Sequence, residues 1–364
     1  MTEHRTTHPY FMHDAIHQQP DRVARVLEHQ RDTIDRAAAA AASRQRILFL
    51  GIGSSYHAAL LGEHFLRHLS AGRARAQVDT SFQFVHYPIG VGPGDAVVVA
   101  SHRGYKSYSV QAMERARAAG ALTLAFTGDG GSQKIRGADF VIPTCEQENS
   151  FAHTKSYTTA LAALARFSIG VAERQGHSDG APIARAALDD VPRLMREALR
   201  TEHAAREAAT YIGKRHQFVF LGAGPNWVTA MEAVIKVLET SYIPCSACET
   251  EQFLHGPFSQ IDARAAAIAL VAGAPADARM TSVLEALGAL GVARVVVATA
   301  GAGATAQAEP RIEVPAVAEW LSPLVLVVPL QLICYYVALD RGADPDRGRQ
   351  NEPDHARAQK MFVL

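Results

Sequence analysis

Three charged residues that could carry out proton transfer are spaced along one predicted helix. Glu232, Lys236 and Glu239 stand at positions i, i+4 and i+7 of the helix predicted over residues 227–242, which places them on one face at 3.6 residues per turn. The neighbouring residues of this segment are mostly apolar. The stripe is either a solvent face with a Glu232–Lys236 ion pair, or a general base, Glu239, whose protonation is tuned by the lysine.

A histidine follows this helix in the segment EQFLHGP (251–257). His255 is followed directly by a Gly-Pro turn, and a histidine held in that way can exchange protons near neutral pH. The chain contains 16 histidines, and a lone histidine is usually structural. Spacing alone leaves both roles open for His255.

Three short loops each precede a predicted helix and combine small, hydroxyl and cationic residues. Glycine allows close backbone approach, a helix N-terminus favours an anion, and arginine or lysine adds charge. The sequence therefore predicts phosphate binding, although a packing role for the glycines and a solvated basic turn remain alternatives. The candidate residues are Gly53, Ser54 and Ser55 in the first loop, Ser101, His102, Arg103, Gly104, Lys106 and Ser107 in the second, and Thr154 and Lys155 in the third.

The elements that must position these residues form a repeated α/β pattern. Apolar β-branched runs at 47–50, 96–100, 122–126 and 140–143 alternate with helical segments such as 56–69 and 107–119. This pattern predicts a doubly wound parallel sheet, whose ligands lie outside the carboxyl ends of the strands.

The unit occurs twice. ILFLGIG at 47–53 and FVFLGAG at 218–224 are 171 residues apart, and the same offset aligns Gly120 with Gly291. We therefore expect two tandem flavodoxin-like α/β domains. The predicted organisation is a lead segment (1–25), a first domain (26–178), a linker and connecting helix (179–205), a second domain (206–342) and a tail (343–364). A helical region is expected at 21–43, a long helix at 186–210, and no further element in the tail.

Composition limits the partners of the chain. Its 364 residues carry 36 basic and 36 acidic side chains, so a long-range attraction to nucleic acid or to an anionic membrane is not expected. The apolar run at 323–339 contains Pro329 and Gln331, and is predicted to be a buried core helix rather than a membrane span. The N-terminal residues lack the apolar core of a signal peptide, which predicts a cytoplasmic protein.

The four cysteines predict neither a disulfide framework nor a metal centre. Cys245 and Cys248 are spaced as zinc ligands, but zinc would need a second pair or two histidines at ligand spacing. Neither is identified in the sequence, so two buried or idle thiols are expected.

Taken together, these motifs resemble the sugar isomerase (SIS) family, and within it the isomerase half of glucosamine-6-phosphate synthases. The resemblance covers nearly the whole chain and rests on several motifs in the expected order. They are Tyr10-Phe11-Met12 with Gln19-Pro20, Gly53-Ser54-Ser55-Tyr56-His57, the helix from Glu232 to Tyr242, the EQFLHGP turn at 251–257, and the C-terminal segment 329–346.

The resemblance implies roles for individual residues. It makes Glu239 the base that moves a proton between C1 and C2 of an open-chain sugar, with Lys236 and Glu232 in support. It implies that His255 opens the sugar ring, reaching in from the partner subunit of a homodimer. Lys360 is the nearest candidate for the lysine that closes the site in this family. No metal or organic cofactor is implied.

Two departures from the family pattern shape the expected reaction. No glutamine-hydrolysing domain precedes the isomerase unit in this sequence, which favours aldose–ketose isomerisation or deamination of an amino-sugar phosphate without glutamine. The second loop reads SHRGYK instead of S-x-S-G-x-T, which suggests a different or more anionic substrate. We expect a hexose or amino-hexose 6-phosphate. A deglycase releasing an amine from a sugar-phosphate adduct and a non-catalytic sugar-phosphate-binding regulator remain alternatives.

Overall fold

The computed structural model describes residues 4–87, 89–177, 180–303 and 310–362, so the start of the predicted linker at residue 179 lies outside the described residues. The strands are β1 (Arg46–Gly51), β2 (Ala76–Thr80), β3 (Asp95–Ser101), β4 (Leu122–Thr127), β5 (Phe140–Pro143), β6 (Gln217–Gly222), β7 (Cys245–Glu249), β8 (Ala265–Val271), β9 (Ala293–Thr299) and β10 (Arg311–Val314). The helices are α1 (Phe11–His29), α2 (Arg31–Ala42), α3 (Ser54–Leu69), α4 (Ser81–His86), α5 (Ser107–Ala118), α6 (Lys155–Arg174), α7 (Ala181–Leu199), α8 (Glu202–Ile212), α9 (Pro225–Thr240), α10 (Thr250–Leu254), α11 (Asp277–Ala289), α12 (Ser322–Asp340) and α13 (Pro353–Gln359).

The chain divides into two compact units, each of which contains one copy of the repeat. The first-repeat unit comprises Gln18–Glu148, Lys155–Pro192 and Glu352–Leu364. The second-repeat unit comprises Met1–His17, Asn149–Thr154 and Arg193–Asn351.

Each unit is built on a five-stranded parallel sheet, and the two sheets share one topology. The first-repeat unit has the strand order β2-β1-β3-β4-β5, and the second has β7-β6-β8-β9-β10. The central strands are almost wholly buried because helices cover both faces. The predicted tandem doubly wound architecture is confirmed.

The repeated glycines explain why each first strand turns directly into a helix. A Cβ atom at Gly51 or Gly222 would lie 2.2 or 2.3 Å from the backbone oxygen of Ser55 or Asn226, so no other residue fits at this turn. Gly53 and Gly224, which precede α3 and α9, have φ values of 59° and 53°, a conformation that favours glycine. The same turn is therefore built twice, with a loop of different chemistry in each copy.

The structure corrects two expectations and adds two strands. The single helix predicted over 186–210 is wrong, because α7 ends at Leu199 and α8 begins at Glu202. The tail contains a helix, α13, although no element was expected there. The edge strands β2 and β7 were not predicted, since their residues are only partly buried and show no apolar run.

The long apolar run is a core helix, as expected. Residues 319–340 are long and apolar enough to cross a membrane, but the whole apolar window is buried inside the protein. It packs against α8 and α9 in the second-repeat unit. This helix therefore forms the core on which α9, the helix of the predicted base, is supported.

Candidate functional site

The three charged residues of α9 form one connected cluster. Lys236 Nζ donates to Glu239 Oε2 at 2.7 Å and lies 3.6 Å from Glu232 Oε1. The same ammonium donates to the backbone carbonyl of His153 at 2.9 Å. One buried lysine thus holds two carboxylates of the helix in fixed positions.

Burial distinguishes the two carboxylates. The side chains of Glu232 and Lys236 are 0% and 1% exposed, whereas that of Glu239 is 28% exposed. The stripe is therefore not a solvent face, because two of its three members are inaccessible. Glu239 is therefore the member of the cluster that solvent can reach, and a buried ammonium holds its carboxylate in place.

The carbonyl that anchors Lys236 belongs to a segment tied to the C-terminal part of the same unit. Phe151 N donates to Asp346 O at 3.1 Å, and the Phe151 ring would lie 2.3 Å from a Cβ atom at Gly348. Tyr242, just after α9, accepts from Arg349 N through its hydroxyl at 3.1 Å. In the sequence, the segment Gly342–Asp346 was identified only by its resemblance to the family. The structure shows that residues 346–349 contact the segment that carries the His153 carbonyl and the residue after α9.

His255 lies on an exposed turn after α10. Its side chain is 66% exposed, and Nε2 lies 3.2 Å from Glu251 Oε1. Glu251 also pairs with Arg279 at 2.6 Å, and these hydrogen bonds from Arg279 and His255 lower the pKa of the Glu251 carboxyl. An ionised carboxylate therefore orients the imidazole, while the ring itself stays open to an incoming group.

The first loop of the first-repeat unit places small and hydroxyl residues at the N-terminus of α3. Gly53 precedes α3, and Ser54 and Ser55 occupy its first turn with partly exposed side chains. Small and hydroxyl residues at a helix N-terminus suit a phosphate.

The second loop is tied back to the sheet. Thr127 Oγ1 donates to Ser101 O at 2.8 Å, Gly104 has a φ of 66°, and its N–H donates to Ser101 O at 3.1 Å. Burial lowers the pKa of His102 and outweighs the nearby Glu148 carboxylate. His102 is therefore neutral near pH 7 and adds no charge to the loop.

The charge of the second loop comes from two other residues. Arg103 donates to the Tyr105 hydroxyl at 3.1 Å, and Lys106 Nζ lies 6.0 Å from the Tyr105 ring centre. Ser107 begins α5 and accepts from Gln111 Nε2 at 2.8 Å. Both cations are only partly buried, so they remain accessible to an anion.

The cation of the third loop, Lys155, is buried and engaged with neighbouring side chains, unlike the two cations of the second loop. Thr154 is fully buried, and Lys155 Nζ donates to Glu146 Oε1 at 2.6 Å and to Gln18 Oε1 at 2.7 Å. Burial raises the pKa of Glu146, but hydrogen bonds from Lys155 and Arg22 outweigh it and lower this pKa to about 2. Lys155 is thus engaged with a permanently charged carboxylate, which is typical of a structural lysine. Lys360 is exposed at the end of α13 in the first-repeat unit.

The cysteine pair is unsuited to hold zinc. Cys245 and Cys248 lie three residues apart on strand β7, so their side chains point to opposite faces of the sheet. Burial raises the pKa of both thiols, that of Cys245 to about 12. The thiolate that a metal requires is therefore disfavoured at both positions.

Two parallel five-stranded sheets of the same topology, each flanked by helices, define a duplicated α/β protein. The family model of the SIS domain matches residues 41–169 and 211–341, one match in each repeat. The chain therefore belongs to the SIS domain family.

Comparisons with known proteins support this assignment. The chain is 29% identical over 345 residues to the glutamine–fructose-6-phosphate aminotransferase of Thermococcus kodakarensis, an alignment that covers 94% of this chain and 57% of that protein. The C-terminal domain of the corresponding Francisella tularensis enzyme superposes with a TM-score of 0.84 at 20% identity, covering 93% of this chain and 98% of the other. A glucosamine-6-phosphate deaminase from Thermotoga maritima gives 0.74 at 18% identity, covering 93% and 97%. At these identities the two superpositions show the fold alone.

Proposed function

We propose that the protein is a phosphosugar isomerase or amino-sugar-phosphate deaminase that acts on a hexose or amino-hexose 6-phosphate. The observation that carries the proposal is the accessible Glu239 carboxylate, hydrogen-bonded at 2.7 Å to a lysine that is 1% exposed. An ammonium at this distance favours the charged carboxylate, the form that accepts a proton. A buried ion cluster with a single accessible carboxylate is a candidate for acid–base chemistry.

In the proposed reaction Glu239 removes the proton from C2 of the open-chain aldose. The electron pair forms a C1–C2 double bond while the carbonyl oxygen gains a proton, which gives a cis-enediol. Glu239 returns its proton to C1, the C2 hydroxyl loses one, and the product is the ketose. With a 2-amino sugar the same transfer gives a ketimine, which water hydrolyses to the ketose and ammonia.

Neither reaction consumes glutamine, because isomerisation only moves protons and deamination needs no reactant besides the amino sugar and water. We therefore expect turnover in the absence of glutamine. The proposed setting is the cytoplasm, with a small sugar phosphate as the ligand rather than a nucleic acid or a membrane. The balance of 36 basic and 36 acidic residues supports this choice.

Phosphate recognition is assigned to the loops of the first-repeat unit, with Ser54, Ser55, Ser101 and Ser107 as hydroxyl donors and Arg103 and Lys106 as cations. Charge-assisted hydrogen bonds contribute about 1.5–3 kcal/mol each. We expect Arg103→Ala/Lys106→Ala to weaken binding of a hexose 6-phosphate at least about tenfold, and to affect the unphosphorylated hexose much less. Titration calorimetry with both sugars measures the difference.

Lys134→Ala is the matched control for the double variant, because Lys134 is an exposed cation of the same unit. It should leave both affinities unchanged. Equal weakening by the control and the double variant would mean that general charge, rather than the second loop, attracts the phosphate.

We propose a homodimer in which the partner subunit's His255 opens the sugar ring. The 66% exposure of His255 and its orientation by Glu251 support a role toward a group outside its own unit. The proposal predicts complementation between two inactive variants. A refolded mixture of Glu239→Gln and His255→Gln chains should regain about a quarter of wild-type activity, because half of the dimers carry one intact site of two.

Separate assays of the two variants before mixing provide the control for complementation. Light scattering on each variant alone checks that both remain dimeric. A dimeric mixture with no more activity than its components would place Glu239 and His255 of the same subunit in one site, or remove His255 from the reaction.

The overall proposal is tested by incubating the protein with a panel of hexose and amino-hexose 6-phosphates, with and without glutamine. Ketose formation from a hexose 6-phosphate assigns an isomerase, and ammonia release from an amino-hexose 6-phosphate assigns a deaminase. The two cations that replace the usual hydroxyls of the second loop favour one further class, a deglycase acting on a more anionic sugar-phosphate adduct. Binding without turnover of any compound would instead favour a sugar-phosphate-binding regulator and overturn the proposal.

A further inference from the structure

A second cluster of chemically active side chains lies in the second-repeat unit, apart from the residues of α9. His13 and His17, on the first turns of α1, both point at Glu202, the first residue of α8. His13 Nε2 lies 2.7 Å from Glu202 Oε1, and His17 Nε2 lies 3.1 Å from Glu202 Oε2. The two imidazole rings are 4.4 Å apart between centroids.

The spacing of the cluster is that of metal ligands. Histidines at i and i+4 lie on one face of a helix, and two imidazoles with one carboxylate form a ligand set that zinc accepts. One ligand atom from each residue lies within 4.8 Å of the other two. Bond lengths of about 2.0–2.1 Å in a tetrahedral site require ligand atoms roughly 3.3 Å apart, so small side-chain rotations suffice.

The surroundings of the cluster provide the negative charge, the fixed carboxylate and the access from solvent that a bound cation needs. Glu202 supplies one negative charge, and its Oε1 accepts a hydrogen bond from the Tyr336 hydroxyl at 2.6 Å, which fixes the carboxylate. The nearby Arg206 pairs with Asp340 at 3.2 Å. The His17 side chain is 38% exposed and that of His13 16%, so an ion can enter from solvent on one side while the other side is held by protein.

We propose that His13, His17 and Glu202 bind one divalent cation of the zinc class, with solvent as the fourth ligand. The ion takes the place of the direct contacts between the two imidazoles and Glu202, and each ring then carries its proton on Nδ1. It clamps the start of α1 to α8. His13 and His17, four residues apart on α1, are a histidine pair at ligand spacing and correct the expectation that the sequence contains none. The proposal is independent of the reaction assigned to Glu239.

Zinc titration of the chelator-treated full chain tests the site, by competition with a chromophoric chelator and by thermal unfolding. His17→Asn and Glu202→Gln each remove one ligand, and His203→Asn is the matched control, since His203 is 87% exposed on the same helix as Glu202. Wild type and His203→Asn should each bind one zinc ion per chain tightly. Each ligand substitution should weaken the affinity for zinc by more than about tenfold.

Zinc at about 100 times its Kd should also raise the Tm of wild type and of His203→Asn by a few degrees, but not that of the ligand variants. Circular dichroism without metal checks that each variant folds. If His17→Asn fails this check, Glu202→Gln decides the question, because glutamine can still accept from Tyr336. Zinc binding by a folded ligand variant with wild-type stoichiometry and affinity would overturn the proposal, as would the absence of a tight equivalent in wild type.

Discussion

Replacing Glu239 by glutamine is expected to lower turnover of the best sugar phosphate by about 10²–10⁴-fold, the usual contribution of a general base. The amide keeps an oxygen that accepts from Lys236 but does not take up a proton. The expected loss is therefore in kcat, with substrate affinity and Tm close to wild type. Steady-state kinetics and thermal unfolding measure the three quantities on one preparation.

Glu207→Gln is the control for this substitution, because Glu207 is an exposed carboxylate of the same unit, with a side chain that is 66% exposed. It should leave kcat unchanged. If Glu239→Gln retains more than about a tenth of the wild-type rate, the role given to Glu239 is wrong, since even weak general-base catalysis contributes more than that.

The second large effect is expected from Lys236→Met. The substitution removes the ammonium that lies 3.6 Å from the fully buried Glu232 and donates to Glu239 and the His153 carbonyl. Breaking a buried pair by removing one partner typically costs about 3–5 kcal/mol, because an uncompensated charge remains in the interior. The unfolding transition of the variant should therefore move strongly to lower denaturant concentration, and activity should fall with it.

The double variant Glu232→Gln/Lys236→Met separates charge from packing. It removes both buried charges, so it should be more stable than Lys236→Met alone, and the double-mutant cycle should give a clear coupling energy. A cost below about 1 kcal/mol for Lys236→Met would show that the cluster is solvated and that Lys236 does not fix Glu239.

The duplicated fold could be predicted because its determinants are local. The runs ILFLGIG and FVFLGAG contain an apolar strand and the glycines of the following turn, and both sets of glycines are required by the same backbone geometry at Gly51 and Gly222. The buried run at 323–339 was also readable, because Pro329 and Gln331 argue against a membrane span.

Features that depend on tertiary contacts could not be predicted from the sequence. The spacing of Glu232, Lys236 and Glu239 allowed either a solvent face or a buried cluster, and only packing against α12 and the 149–154 segment decides between them. The strands β2 and β7 pair with one neighbour each at the sheet edges, so their sequences show no continuous apolar run.

Individual side-chain partners were the least predictable part of the candidate site. The engagement of Lys155 with Glu146 joins residues nine apart in a loop, and no sequence rule predicts that pair. The spacing of His13 and His17 can be read from the sequence. The third residue of the proposed metal site, Glu202, lies 189 residues away from His13.

Glu239 is expected to move a proton between C1 and C2 of a phosphorylated sugar. Proton NMR in D₂O tests it directly, because loss of the C1 or C2 proton signal reports proton transfer whether the product is a ketose or a deaminated sugar. We predict wash-out with at least one hexose or amino-hexose 6-phosphate in wild type and in Glu207→Gln, and none on the same timescale in Glu239→Gln. Wash-out that persists at the wild-type rate in Glu239→Gln, or its absence in wild type with every sugar that binds, would contradict the claim.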